Sequence, residues 1–128
     1  MGYAHVDPDD VEPVPDRPCE LRRVGAAAGL ENVAPNRFVA EPGEQIPLAY
    51  HYHDRQEEAF HVLSGTLAVE TPERTYEIPA GDLLAVALES PQRAHDPVDA
   101  DEPVTVLALG APNVSGDVRP SEGESGNG

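Results

Sequence analysis

Short runs in which apolar and polar residues alternate, separated by turn-forming residues, make up most of the chain from Asn36 onward. Residues two apart on a β-strand point to the same face of a sheet, so these runs predict strands with one buried face. The predicted strands cover residues 19–24, 37–41, 47–53, 58–64, 66–71, 75–78, 83–88, 92–95 and 104–109. Only residues 25–32 have a helix-like composition, and they suffice for a single turn at most. This spacing predicts an all-β sandwich or barrel and excludes a sheet built from βαβ units.

The two ends of the chain differ from this central region. Residues 1–18 are rich in proline and aspartate, which disfavour a regular helix, and we expect an extended arm there. After Gly110 the sequence is polar and rich in glycine, so we expect residues 111–128 to form a flexible tail. The region between them, residues 19–110, is then one barrel. A chain of 128 residues has the size of a single domain and is long enough to bury a core.

The chain is strongly acidic. It carries 24 acidic and 8 basic residues, a formal charge of −16, and every basic residue is an arginine. Such self-repulsion is costly at low ionic strength but is screened at molar salt, where the Debye length falls to about 3 Å. The composition therefore predicts adaptation to a salty cytoplasm. It also argues against a nucleic-acid partner, because phosphate binding needs clustered lysine and arginine.

Cysteine content and hydropathy bear on the compartment. Cys19 is the single cysteine, which excludes an intramolecular disulfide. No stretch approaches the roughly 20 apolar residues that cross a bilayer, and the first residues are acidic with no apolar signal region. We therefore expect a cytoplasmic protein with no membrane partner.

The stretch from residue 49 to residue 65, AYHYHDRQEEAFHVLSG, concentrates the candidate chemistry. His51 and His53 are two apart on a predicted strand, so both imidazoles point to one face. On the next strand Glu58 shares a face with two apolar residues, whereas Glu57 and His61 point the other way, to the surface or an interface. Two imidazoles and one carboxylate from adjacent strands can coordinate Zn, Fe, Mn, Ni or Cu. The sequence therefore predicts a site for one divalent transition metal ion.

The spacing of His51, His53, Glu58 and the turn glycine Gly65 resembles the first motif of the cupin superfamily. Gly43 matches the glycine that opens this motif, although it lies further from His51 than is usual. The stretch from Ile78 to His95, IPAGDLLAVALESPQRAH, is similar to the second motif. The overall pattern resembles small single-domain cupins of salt-adapted archaea. The resemblance implies a cupin-type double-stranded β-helix, which is a jelly-roll barrel, with the site inside it.

The fourth ligand position is where the sequence departs from the second motif. The usual histidine would stand at Gln92, counting from Gly81, whereas His95 lies three residues further on and would point to the opposite face of a regular strand. If Gln92 takes the position, two histidines and one carboxylate leave open coordination sites, as in non-haem iron oxygenases. If a bulge turns His95 inward, the site has three histidines and one glutamate. The register with Gly81 favours Gln92.

Cupins catalyse many reactions, so the function must be argued from the site. One hypothesis is a metal-dependent oxidoreductase resembling dioxygenases, which the open coordination left by a glutamine favours. The other is a non-catalytic module that binds a sugar-like or carboxylate ligand in the barrel, which the lack of an obvious general base favours. Sugar-phosphate isomerisation is disfavoured because arginines are few. The sequence leaves the first two hypotheses open.

The ligand and the oligomeric state are less strongly indicated. The small-molecule ligand is not identified, because the residues expected to line its pocket form a generic apolar surface. These residues are Phe38, Phe60, Val62, Leu84 and Val86. In small cupins an N-terminal arm often pairs with the sheet of a second subunit, so the resemblance also implies a homodimer.

Overall fold

A computed structural model describes residues 2–121 of the chain and consists of ten β-strands and very little helix. The strands are β1 (Glu20–Arg22), β2 (Ala34–Ala40), β3 (Gln45–His53), β4 (Glu57–Ser64), β5 (Thr66–Glu70), β6 (Thr75–Pro79), β7 (Leu83–Val86), β8 (Gln92–His95), β9 (Val104–Ala111) and β10 (Val118–Pro120). The helical elements are a 3-10 turn (Pro8–Asp10) and α1 (Val24–Ala28). No helix within residues 2–121 is long and apolar enough to cross a membrane.

The strands form two antiparallel sheets of five strands each. The first sheet has the order β1-β2-β9-β4-β7, and the second has the order β10-β3-β8-β5-β6. Strands that follow one another in the chain therefore lie largely in opposite sheets, as a jelly roll requires. The predicted all-β class and jelly-roll architecture are confirmed.

The core lies between the two sheets and follows the period of two in the sequence. On β9, Val104 and Val106 have no exposed surface, while Thr105 between them is half-buried. On β4, Phe60 and Val62 face the same interior. Burying one face of each strand leaves the space between the sheets apolar, except where the polar side chains of the candidate site enter it.

The glycine that ends the first motif is required by a close approach of two backbones. Gly65 has φ +76°, and a Cβ atom placed on it would lie 2.5 Å from the carbonyl oxygen of Pro103. Only glycine avoids both the strained conformation and the clash. The turn after β4 is thereby fixed against the start of β9.

The N-terminal arm lies along β1 of its own chain. Arg22 donates hydrogen bonds from Nη1 to the carbonyl oxygens of Asp9 and Val11, at 3.1 and 2.7 Å. The amide of Val14 donates to the carbonyl of Leu21 at 2.8 Å. These contacts hold the exposed arm to the first sheet without regular secondary structure beyond the 3-10 turn.

The C-terminal region differs from the flexible tail expected over residues 111–128. Within the described part of the chain, β10 pairs with β3, so that Val118 lies opposite His53 and Pro120 lies opposite His51. This segment is therefore an edge strand beside the strand that carries both histidines. Residues 122–128, the rest of the expected tail, lie outside the described residues.

Candidate metal centre

Side chains from β3, β4 and β8 meet in the space between the two sheets. β3 pairs with β8 through Ile46 opposite Ala94 and, after a change of register, His51 opposite Gln92. Ile46 and His51 are five positions apart and would point to opposite faces of a regular strand. The bulge between them lets both side chains be buried. From His51 the ordinary alternation places His53 on the same inner side.

His51, His53 and Glu58 form the group that could hold a metal ion within residues 2–121. One donor atom from each of the three lies within 4.8 Å of the others. Donors bound to one transition metal at about 2.0–2.2 Å are at most roughly 4.4 Å apart, so a small contraction would bring all three into contact with an ion. The imidazole rings are edge to face, with centroids 5.0 Å apart, and His51 and His53 are only 4% and 9% exposed.

Hydrogen bonding sets the tautomer of His51. Its Nδ1 lies 2.7 Å from the carbonyl oxygen of Ala49. A carbonyl can only accept, so Nδ1 carries the proton and Nε2 keeps its lone pair free for a metal. Burial lowers the pKa of His51, and the neighbouring His53 adds to this, although the bond to Ala49 acts in the opposite direction. The ring is therefore neutral near pH 7, which is the form that binds metals.

Glu58 is held in an environment that disfavours its charge. Burial raises the pKa of Glu58, while His53 and a hydrogen bond from Gln92 partly offset that rise. A cation at this position would favour the ionised carboxylate instead. The outward neighbour Glu57 is exposed, as its position on the strand predicts.

Gln92 is buried beside Glu58, with 2% of its surface exposed. Its Nε2 donates a hydrogen bond to Oε1 of Glu58 at 3.2 Å. Its Oε1 is buried and has no hydrogen-bond partner within residues 2–121. A buried acceptor without a partner is costly, and a cation held by the neighbouring ligands would satisfy it.

His95 is not brought to this group. It lies on the other face of β8, where its Nδ1 is 3.2 Å from Arg93 Nη1 and 3.7 Å from Glu70 Oε2. Arg93 also pairs with Glu70 at 2.6 Å, so its charge is used in a structural ion pair. Gln92 and Ala94 are buried and alternate with the half-buried Arg93 and His95, so the face of β8 that carries Gln92 inward carries His95 outward.

Asp117, which the sequence did not single out, completes the surroundings of His53. Its carboxylate accepts hydrogen bonds from the amides of Asp54, Arg55 and Gln56 at 2.9, 2.9 and 3.0 Å. Its Oδ2 also lies 3.4 Å from Nδ1 of His53. Burial opposes the charge of Asp117, but these backbone hydrogen bonds and the nearby His53 outweigh it and lower the pKa of the carboxyl. No motif signals this residue, because a lone aspartate in a polar segment resembles any other surface aspartate.

A cavity of about 140 Å³ opens onto the group and is lined by His51, Glu58 and Gln92 together with Phe38 and Phe60. Two of the residues expected in the pocket wall are thus beside the candidate ligands.

The other residues expected in the pocket lie elsewhere. Leu84 and Val86 line a separate groove of about 420 Å³ that reaches Gln92 from the side of β7. Val62 has no exposed surface and belongs to the core. A further cavity of about 500 Å³ includes His53, Asp117 and Arg23 in its wall, and it shares Gln56 and Asn113 with the cavity at the ligands.

Comparison with known proteins identifies the family of the chain. Residues 36–110 match the family model described as "Cupin domain", which is more than half of the chain and contains His51, His53, Glu58 and Gln92. The chain belongs to the cupin family. None of the curated proteins compared matches the sequence.

Solved structures similar to this cupin carry different activities in their names. A sugar phosphate isomerase of the cupin superfamily from Silicibacter pomeroyi is 25% identical, with a TM-score of 0.71, 84% of this chain covered and 75% of that chain. A suggested sugar phosphate isomerase from Acidithiobacillus ferrooxidans is 26% identical, with a TM-score of 0.66 and 73% of this chain covered, and this cupin spans 58% of its length. A polyketide cyclase from Streptomyces resistomycificus is 20% identical, with a TM-score of 0.76, 92% of this chain covered and 84% of that chain; this likeness shows the fold alone.

Proposed function

We propose that this cupin binds one divalent transition metal ion through Nε2 of His51 and His53, the carboxylate of Glu58 and Oε1 of Gln92. We further propose that it acts as a metal-dependent oxidoreductase, similar to dioxygenases, on a small molecule held in the barrel. One observation carries the proposal: three donor groups lie within 4.8 Å of one another beside a buried amide oxygen that has no partner within residues 2–121.

The donor set fits a metal that needs room for a substrate. Two neutral imidazoles and one carboxylate occupy only part of a transition metal's coordination sphere, and an amide oxygen is a weak neutral addition. A bound metal of this kind supplies Lewis acidity and, if it is redox-active, the ability to activate dioxygen. The chain itself supplies the two oriented imidazoles, a carboxylate that offsets the metal's charge, and a wall of Phe38 and Phe60 that excludes water.

The cavity at the ligands limits the substrate in size and charge. Its volume of about 140 Å³ is close to that of an apolar cavity of roughly 150 Å³ that holds benzene. Its described wall contains no lysine or arginine, and the amides of Asn36, Gln56 and Asn113 are its polar groups besides the ligands. A compact neutral molecule with an apolar body and one or two hydroxyl or carbonyl groups would match this wall.

A sugar phosphate does not match it as well, although two of the similar structures bear that name. A phosphate group needs cationic or clustered N–H donors. Arg23 lines the further cavity of about 500 Å³ and not the cavity at the ligands, and the carboxylate of Asp117 in the same wall would repel a phosphate.

The alternative is a non-catalytic module that binds a small sugar-like or carboxylate ligand, with the metal as a structural element. One observation favours it. Within residues 2–121, the titratable residues lining the cavity are His51 and Glu58, both of them candidate ligands, so no separate group is available as a general base. An enzyme at this site would have to rely on the metal and its ligands alone.

The homodimer and the salty cytoplasm remain part of the proposal. The middle of the outward face of β4, β7 and β9 forms a patch without formal charge, in which His61 lies between Leu83 and Leu107 and Ala59 lies between Ala85 and Leu109. Glu57, which pairs with Ala111, lies at the end of this patch. Leu83 is 55% exposed. Two copies of a chain with a formal charge of −16 repel each other least where they meet through an uncharged face.

Elemental analysis of protein purified in high salt, without chelator or affinity nickel, tests the metal. The variants are His51→Ala, Gln92→Ala and the control His95→Ala, which removes an imidazole from the outer face of β8. We expect about one metal ion per chain in the wild type and in the control, loss in His51→Ala, and lower occupancy in Gln92→Ala. A wild type that carries no metal and takes up none would contradict the proposal.

A second experiment on the same protein distinguishes an enzyme from a non-catalytic binding module. A screen for oxygen consumption with compact neutral compounds is run on the metal-loaded wild type and on His51→Ala. Uptake that depends on both His51 and the compound supports the oxidoreductase. Binding of a compound in the cavity without turnover, with Fe(II) as well as Zn(II), would instead identify the binding module.

A further inference from the structure

The segment after β9 returns to the site and places one carboxylate against the loop that joins β3 to β4. Asp117 is 2% exposed and receives three backbone hydrogen bonds from the loop that joins β3 to β4. That loop connects His53, the last residue of β3, to Glu57 at the start of β4. The aspartate therefore fixes the chain between two candidate ligands, His53 and Glu58.

We propose that Asp117 is a positioning residue for the metal centre, which accepts the Nδ1 proton of His53 and thereby directs Nε2 of that ring toward the metal. This inference rests on the metal site proposed above. Oδ2 of Asp117 lies 3.4 Å from Nδ1 of His53, and Nε2 of the same ring lies 3.5 Å from Oε2 of Glu58. The His53 ring therefore lies between the buried carboxylate of Asp117 and the candidate ligand Glu58.

Both ring nitrogens of His53 face a carboxylate, and the hydrogen bonds of the two carboxylates distinguish them. Asp117 accepts three backbone hydrogen bonds, which stabilise its ionised form, whereas Glu58 accepts one from Gln92 and would itself bind the metal. An ionised carboxylate can only accept hydrogen bonds, so a lone pair on Nδ1 facing Asp117 would be repelled, whereas an N–H there is stabilised. Metal-bound histidines commonly donate their second N–H to such an outer acceptor, and its loss typically weakens metal binding about 10- to 100-fold. Asp117 would do for His53 what the carbonyl of Ala49 does for His51.

Two features orient the Asp117 carboxylate toward His53, in addition to its hydrogen bonds with the loop. Val118 pairs directly opposite His53 on β10, so the preceding Asp117 is held next to that histidine. Oδ1 accepts two of the three backbone hydrogen bonds and Oδ2 accepts one. Oδ2 therefore keeps acceptor capacity on the side of the imidazole.

The test uses the full-length protein, ¹⁵N-labelled at histidine, with Asp117→Asn and the control Arg119→Ala. The control removes the ion pair from Arg119 Nε to Asp54 Oδ2, at 2.6 Å, which also ties β10 to the loop but does not involve His53. Long-range ¹H–¹⁵N NMR reports the tautomer of each ring in the metal-free protein, and chelator competition gives the Kd for Co(II).

We expect His53 in the wild type and in Arg119→Ala to carry its proton on Nδ1, and His53 in Asp117→Asn to become a mixture of tautomers. His51 should keep its Nδ1–H form throughout and serves as an internal control. Asp117→Asn should raise the Kd for Co(II) about 10- to 100-fold, and Arg119→Ala should change it by less than about threefold.

Two results would overturn the inference. One is a wild-type His53 protonated on Nε2, which needs no variant to fold. The other is an unchanged His53 tautomer and Kd in a folded Asp117→Asn protein. Because the tautomer is read without metal, a wild type that has the expected tautomer but binds no Co(II) would refute the proposed metal site while leaving the orientation of His53 by Asp117 established.

Discussion

Asp96 offers a quantitative test of the energetics outside the metal centre. It follows β8 and is fully inaccessible, and neither of its carboxylate oxygens has a hydrogen-bond partner within residues 2–121. Burial, together with the nearby carboxylates of Glu41, Glu102 and Glu44, raises the pKa of Asp96 from 3.8 to about 6. Ionising this residue at neutral pH therefore works against folding.

The sign and size of the effect follow from linkage. The folded state holds the Asp96 proton more tightly than the unfolded state, so the protein loses stability as the pH rises from about 3.8 to about 6. This pKa shift lowers the free energy of unfolding by about 3 kcal/mol above pH 7 and by roughly a third of that at pH 4.5. The carboxylate lies close beneath the surface, where screening by solvent reduces this figure, and an asparagine amide would itself be unpaired. We therefore expect Asp96→Asn to be more stable than the wild type by about 1–2 kcal/mol at pH 7.5.

Urea unfolding at constant ionic strength, at several pH values from 4.5 to 7.5, measures the difference between the two proteins. The substitution leaves the backbone bonds of Asp96 to Gly43 and Glu44 in place, at 2.9 and 3.0 Å. The control is Asp99→Asn, which removes the same charge from an exposed position in the same loop and should change stability by less than about 0.5 kcal/mol. A destabilised Asp96→Asn protein at pH 7.5, or a gain that does not fall as the pH is lowered, would refute the reasoning.

Two further predictions concern the whole molecule. Leu83→Glu introduces a charge into the uncharged patch of the first sheet, so light scattering should show a dimer for the wild type and a monomer for this variant. The control Leu30→Glu, whose leucine is also exposed but lies elsewhere, should remain a dimer. Lowering KCl from 2 M to 0.1 M should lower the Tm, because the repulsion within a chain of formal charge −16 is no longer screened; a Tm that rises or stays constant would argue against salt adaptation.

The fold could be predicted well because period-two patterning is local. Each predicted strand has a counterpart whose bounds differ by three residues or fewer. The strand that was missed, β10, is exposed at all three of its positions and therefore carries no apolar alternation. It is held instead by pairing with β3 and by Asp117, and neither leaves a pattern in its own residues.

Alternation predicts which strand face a residue of the pocket occupies, but not how far along the barrel the residue lies. Alternation correctly assigns Phe60 and Val62 to the inner face of β4, yet Phe60 lines the cavity at the candidate ligands and Val62 is sealed in the core. A period of two gives the face of a strand and not the distance along the barrel. Leu84 and Val86 likewise face inward, but β7 is an edge strand, and the groove they line opens beside the ligand group.

Asp117 shows why second partners of a site escape sequence reasoning. Its donors are the backbone amides of residues 54–56, which any residue except proline supplies, so the loop carries no side-chain signal of the contact. Its other neighbour, His53, already has a role in the motif and does not demand another partner. A histidine whose Nδ1 must donate nevertheless requires an acceptor somewhere in the fold. For His51 that acceptor is the carbonyl of Ala49, two residues away. For His53 the proposed acceptor is a carboxylate more than sixty residues later, which the pairing of β10 with β3 brings to 3.4 Å from Nδ1.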